Sequence, residues 1–198
     1  MSEAALTGLL GDRTQPAVPA DEYRWVELAR QGNLAAFDEI MLRYEQRLLR
    51  FLVGMVHDID TAQELCQETF LAAYRALPRM TGEVRLSAWL HTIALNQARS
   101  HYRRPRVRLD VPLPDFDLPS RGPDVQDSVA ARDLVQRIMA RLPEKQVEIL
   151  LLQVTGGLSC REIADLVGAS ESAVKVRLFR AREAFRRAYD TEMSECAS

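Results

Sequence analysis

The chain has 198 residues, 47% of them hydrophobic, and a formal net charge of −2, enough apolar material for one medium domain or two small ones. That near-neutral balance excludes a chain that clings to nucleic acid by bulk charge, so any such partner must be held by a local basic surface. Three cysteines, Cys66, Cys160 and Cys196, match no zinc or redox spacing, which argues against a disulfide scaffold and for free thiols in a reducing cytosol.

Residues 1–20 hold "ALTGLL", too short for a signal core or a membrane span, and then Pro16 and Pro19. A disordered lead-in to a cytoplasmic protein, with no direct membrane insertion, is expected. From Asp21 the apolar residues recur at helical spacing, as in Phe37, Ile40, Met41, Tyr44, Leu48, Phe51 and Leu52. The pattern predicts helices near 21–31, 33–56, 60–77 and 86–103, with Pro78 and Gly82 separating the last two. No stretch alternates as a strand, so residues 21–104 read as one helical domain.

On the third of these helices Gln63, Glu64, Gln67 and Glu68 share a polar, partly acidic face, while Leu65 and Phe70 belong to the core. The fourth carries Trp89, Leu90, Ile93 and Ala94 as a core stripe and ends in Arg99, His101, Arg103 and Arg104. Trp89 is a stacking candidate in isolation, but its stripe position assigns it to the core. His91 and His101 lack metal-ligand spacing. Charge is strongly segregated here. Asp21 to Glu83 has 7 Arg against 11 Asp and Glu, Val84 to Leu109 has 6 Arg and no acid, and Asp110 to Asp127 has five Asp against Arg121.

Residues 105–127 contain Pro105, Pro112, Pro114, Pro119 and Pro123 and no helical period, which predicts an extended, acidic linker. At about 3.1 Å per residue it would reach about 70 Å. Residues 128–190 then form a second helical domain, with helices near 128–141, 144–154, 159–167 and 171–188, and residues 191–198 are expected to be a frayed tail.

Ser159 followed by Glu162 is a capping-box pattern, Gly168 sits where that helix must stop, and Ser170 can cap the next. Small Ala164, Gly168 and aliphatic Val174 at these offsets give a helix-turn-helix. On the second helix Val174, Leu178, Ala181 and Phe185 form the buried stripe. Ser172, Val176, Phe179, Arg180 and Glu183 point the other way, flanked by Lys175 and Arg182 on one side and Arg177 on the other. Apolar groups on a cation-rimmed outer face suit a helix that enters the major groove, where they meet thymine methyls. Arg180 and Lys175 could read guanine edges, and Arg177 and Arg182 are placed for phosphates.

The expected class is therefore all-α, two small helical domains joined by an extended linker. No phosphate loop, paired metal ligands or nucleophile motif appears, so no catalytic residue, cofactor, metal or small-molecule substrate is assigned.

The stretches "AAFDEIMLRYEQRLLRFL", "DIDTAQELCQETFLAAYRAL" and "LSAWLHTIALNQARSHYRR", in that order and followed by the helix-turn-helix, resemble the bacterial RNA polymerase sigma factors of the extracytoplasmic-function (ECF) group. The resemblance covers nearly all of residues 21–190 and implies a non-enzymatic initiation factor that keeps only sigma regions 2 and 4. By that resemblance Gln63, Glu64, Gln67 and Glu68 dock on the clamp coiled coil of core RNA polymerase, whose flap is a further partner. The loop "RMTGEVRLS" captures a flipped base, and Arg85, Asn96, Arg99, Arg103 and Arg104 lie against minus-ten promoter DNA. The second domain reads the minus-thirty-five element. An anti-sigma partner, often membrane-anchored, is the family's usual control. A helix-turn-helix regulator that forms no holoenzyme is the alternative, though such proteins usually carry a receiver domain with strands.

Overall fold

Local capping sets most of the helix ends. The computed structural model describes residues 20–103, 134–135 and 137–196. The expected linker, the lead-in before Ala20, and Arg104 lie outside the described residues.

Helix α1 (Ala20–Arg30) leads into α2 (Leu34–Val56), whose first turn is closed by Asn33 accepting from the Ala36 N–H at 3.1 Å. The helix stops at His57, which adopts the left-handed conformation, φ 57°. Asp58 then caps α3 (Ile59–Ala76), its carboxylate accepting from the Thr61 N–H at 2.9 Å. A 3-10 turn, Leu77–Arg79, carries Pro78 and separates α3 from α4 (Leu86–Arg103). These boundaries match the sequence reading because each depends on residues close in the chain.

The four helices close around Ile40, Leu48, Phe51, Leu52, Leu77, Leu86, Leu90 and Leu95, all fully buried. Leu65 and Phe70 are buried as expected, and Phe37 meets the Phe70 ring edge-on at 6.5 Å. Leu90 and Ala94 are buried, with Trp89 and Ile93 partly buried against the same core. Trp89 is thus a packing residue.

In the second group, residues 134–135 and 137–140 are helical, followed by α5 (Glu144–Val154), α6 (Cys160–Val167) and α7 (Glu171–Cys196). Pro143 stands at the N-cap of α5, just ahead of the helix, where its missing N–H leaves no intrahelical bond unmade. Ile138, Ile149, Leu152, Ile163, Val174, Leu178 and Phe185 fill this core. Residues 191–196 correct the expectation of a frayed tail, since α7 continues to Cys196 and Glu192 pairs with Arg137 at 3.3 Å and Arg141 at 2.5 Å. Its partners stand some fifty positions upstream, beyond the reach of a local pattern. The two groups also touch each other, α2 against α5 and α4 against α6.

Candidate nucleic-acid interface

The helix-turn-helix is assembled as its residue types dictate. Ser159 Oγ accepts from the Glu162 N–H at 3.2 Å, and the Glu162 carboxylate accepts from the Ser159 N–H at 2.9 Å and from its hydroxyl at 2.8 Å. The reciprocal box starts α6 sharply. A capping side chain of this kind is worth about 1 kcal/mol. Gly168 ends α6 at φ 67°, a conformation that disfavours any residue with a Cβ. Ser170 Oγ then accepts from the Ala173 N–H at 3.2 Å and opens α7. Ala164 and Val174 are buried where the two helices meet.

With Val174, Leu178, Ala181 and Phe185 all turned inward, the opposite face of α7 is free for other work. Ser172, Lys175, Val176, Arg177, Phe179 and Arg180 are exposed together there. Val176 is 50% and Phe179 66% exposed, although each has a large apolar side chain. Lys175 pairs with Glu171 at 2.7 Å and holds that carboxyl below its ordinary range. Arg182 departs from the expected arrangement. Its guanidinium turns inward, and Nη2 donates to Gln153 Oε1 of α5 at 2.9 Å, so it braces the second domain instead of rimming the outer face.

The first domain carries Arg85 just ahead of α4 and Asn96 and Arg99 in its second half, with Arg85 and Asn96 exposed. Arg103 closes α4, but its side chain, like all of Arg104, lies outside the described residues. Two of these cations have acidic partners on the second domain. Arg99 Nη2 donates to Glu148 Oε1 of α5 at 2.8 Å, and Arg85 Nη2 lies 3.2 Å from Glu162 Oε1 of α6. Sequence reasoning missed Glu148 and the second role of Glu162, because neither is near its partner in the chain.

His91, on the inner side of α4, performs no site chemistry. Its Nδ1–H donates to the Ser87 carbonyl at 2.7 Å, its ring meets Phe51 edge-on, and burial pushes its pKa down to about 4. Tyr102, one residue from the end of α4, donates its hydroxyl to the Met55 carbonyl and ties α4 to α2.

On the opposite helix pair, Gln63, Glu64, Gln67 and Glu68 are exposed along α3, as the spacing predicts. Gln63 and Gln67 border a groove of about 610 Å³ between α2 and α3, whose apolar lining includes Leu34, Met41, Leu71 and Tyr74. All four of those apolar side chains are exposed. Cys66 lies on its floor, and burial pushes the thiol up to about 12, so it stays protonated and inert. Amphipathic spacing showed the polar face but not the groove, because the groove depends on how α2 crosses α3.

Comparison with known proteins matches these features in order. The family model "Sigma-70 region 2" covers residues 40–108, and "Sigma-70, region 4" covers residues 132–185. The RNA polymerase sigma-H factor of Pseudomonas aeruginosa is 34% identical over 185 residues, 86% of this chain and 94% of that protein. The ECF RNA polymerase sigma factor BldN of Streptomyces coelicolor is 33% identical over 176 residues, 84% of this chain and 66% of that protein. Among solved structures, CnrH in complex with the cytosolic domain of CnrY shares the fold at a TM-score of 0.67 and 24% identity, covering 86% of this chain and 98% of that one. The sigma factor RpoE in complex with the anti-sigma factor NepR from Bartonella quintana does so at 0.61 and 22%, covering 78% and 96%.

Proposed function

The chain belongs to the extracytoplasmic-function group of RNA polymerase sigma factors, and on that premise we propose how its two domains divide the work of initiation. Residues 21–104 join core RNA polymerase and open the minus-ten element, and residues 128–190 read the minus-thirty-five element, with residues 105–127 spanning the distance between them. The protein is a specificity subunit with no chemistry of its own. The observation that carries this reading is the exposed Val176 and Phe179 pair among Lys175, Arg177 and Arg180, on a helix whose core stripe is already filled.

On upstream DNA, Val176 and Phe179 pack against thymine methyls and Arg180 and Lys175 donate to guanine edges, while Arg177 and Ser172 hold phosphates. On the minus-ten element, Arg85, Asn96, Arg99, Arg103 and Arg104 supply the cationic and polar surface that an opened strand requires, and the loop at residues 79–87 receives an unstacked base. Arg182, bonded to Gln153, supports the reading helix and is not assigned a phosphate.

Core polymerase engages the α2–α3 groove. A partner helix laid there covers Leu34, Met41, Leu71 and Tyr74 and meets Gln63, Glu64, Gln67 and Glu68 at the polar margin. The polymerase flap engages the second domain. Solved relatives are held by partner proteins, one of them named as an anti-sigma factor, which supports the same control here. No helix among the described residues is long and apolar enough to cross a membrane, so membrane retention would fall to that partner.

Reconstitution with bacterial core polymerase on a promoter library tests the reading. Specific transcripts are expected only when the chain is added, and Leu71→Glu, which puts a charge in the groove, should abolish them without unfolding the domain. Tight promoter binding by the chain alone, with no polymerase-dependent opening, would establish the simple regulator instead.

A further inference from the structure

The loop at residues 79–87 has firm ends and an open middle. Leu77 ahead of it and Val84 and Leu86 near its close are buried, and Met80 packs partly against the same core. Thr81, Gly82 and Glu83 form an exposed tip between them. Gly82 takes a positive φ of 76°, and a Cβ there would meet nothing within 4 Å, so packing around this residue does not hold the tip. A short exposed tip of this kind has little of its own to keep it in one setting.

One side chain reaches it from another element. Arg30, in the last turn of α1 and 52 positions upstream, donates from Nη2 to the Gly82 carbonyl at 2.6 Å. Glu27, one turn back on α1, orients the guanidinium from the other side, its Oε2 lying 3.5 Å from Nη1. Only 17% of the arginine side chain is exposed, and its buried Nε finds no partner among the described residues. Leaving a buried donor unpaired is unfavourable, so solubility alone does not account for an arginine drawn in this far. A charge-assisted hydrogen bond is about twice as strong as a neutral one, and this one biases the tip toward a single setting.

We propose that Arg30 is a positioning residue for base capture: by fixing the Gly82 carbonyl it presets the tip of the loop that receives the unstacked minus-ten base. This rests on the base-receiving role given above to residues 79–87. A pocket set before the base arrives has less freedom to lose on binding, and it separates one base from another more sharply. Arg30 acts through the backbone of the tip and not on the base itself.

Holoenzyme reconstituted with the full-length chain tests this on the single-stranded minus-ten segment of a promoter recovered from the transcribed library. Each base is made abasic in turn, and affinity is read by fluorescence anisotropy. With the wild-type chain, the abasic change at one position should weaken binding about fivefold or more. Arg30→Met keeps an apolar stem and removes the donor. It should bind the intact strand as weakly as wild type binds that abasic one, with the penalties at other positions, upstream duplex affinity and assembly with core polymerase all unchanged. Arg30→Lys, which restores a cationic donor, should recover part of the loss. Gly82→Ala disturbs the tip backbone alone and should reproduce the loss, and the double variant with Arg30→Met should bind no more weakly than either single one. Full affinity and an undiminished penalty in Arg30→Met, or losses that add in the double variant, overturn the positioning role. Losses spread evenly over every minus-ten position, with a lowered urea midpoint, overturn it as well, since Arg30 would then serve only the C-terminus of α1, where a cation suits the helix dipole. A wild-type chain with no penalty at any position, unaffected by Gly82→Ala, removes the base-receiving role of the loop, and the proposal with it.

Discussion

Two phenylalanines on α7 provide a controlled comparison, because they share residue type and helix but differ in face. Phe185 is 1% exposed and Phe179 is 66% exposed. Phe185→Ala removes a full core side chain and should cost about 3–5 kcal/mol, most of what a domain of this size holds at about 0.05–0.15 kcal/mol per residue. Phe179→Ala removes almost no intramolecular contact, so stability should change by no more than about 0.5 kcal/mol. On the proposed reading its effect falls on DNA binding. Two-thirds of a side chain that offers about 200 Å² is about 130 Å², which at about 25 cal/mol per Å² sets a ceiling near 3 kcal/mol. A groove contact that covers half of it gives about 1.5 kcal/mol, roughly a tenfold loss of affinity. Urea unfolding measures the first quantity, and anisotropy of the holoenzyme on promoter duplexes with and without thymine in the upstream element measures the second. A Phe179→Ala protein that unfolds early, or that binds thymine-bearing and thymine-free elements with unchanged affinity, would refute the reasoning.

Arg180→Ala should change base preference at one upstream position by about 1–3 kcal/mol in a binding selection, whereas Arg182→Ala should lower the midpoint of urea unfolding and leave base preference unaltered, since its partner is Gln153. A uniform affinity loss across all sequences on Arg180→Ala would reduce that residue to a phosphate contact. The pH dependence of stability follows from His91. Its folded pKa of about 4 lies below the ordinary 6.5, so the unfolded chain takes up the proton first as pH falls. Stability from this group is complete above about pH 6.5 and is lost progressively toward pH 4, by up to about 3 kcal/mol. Urea midpoints measured from pH 7.5 to 4 should show that decline, and His91→Gln should flatten it; an equally steep decline in the variant would assign the proton uptake elsewhere.

Helix type, most helix ends and the two inward stripes were legible in the amino-acid sequence, because each rests on interactions within a turn or two. Asn33, Asp58 and Ser159 cap the helices they precede, and Gly168 takes the left-handed conformation its position demands. The outward setting of Val176, Phe179 and Arg180 follows from the same periodicity once Val174, Leu178 and Phe185 claim the core. Long polar side chains escaped this logic. Arg182 leaves the outer face for Gln153, and Glu192 extends α7 by reaching Arg137 and Arg141, because flexible stems reach whatever the packing brings near.

By itself, then, the sequence determined the helices, the outward Val176, Phe179 and Arg180 face of α7 and the polar face of α3 at Gln63, Glu64, Gln67 and Glu68, since periodicity and capping are local physics. Only the tertiary structure decided the α2–α3 groove, the approach of Leu151 on α5 to Gly54 on α2 and the pairing of Arg85 and Arg99 with Glu162 and Glu148. Each of these joins residues that no local pattern relates, and they meet only because two packed cores fix where the helix faces lie.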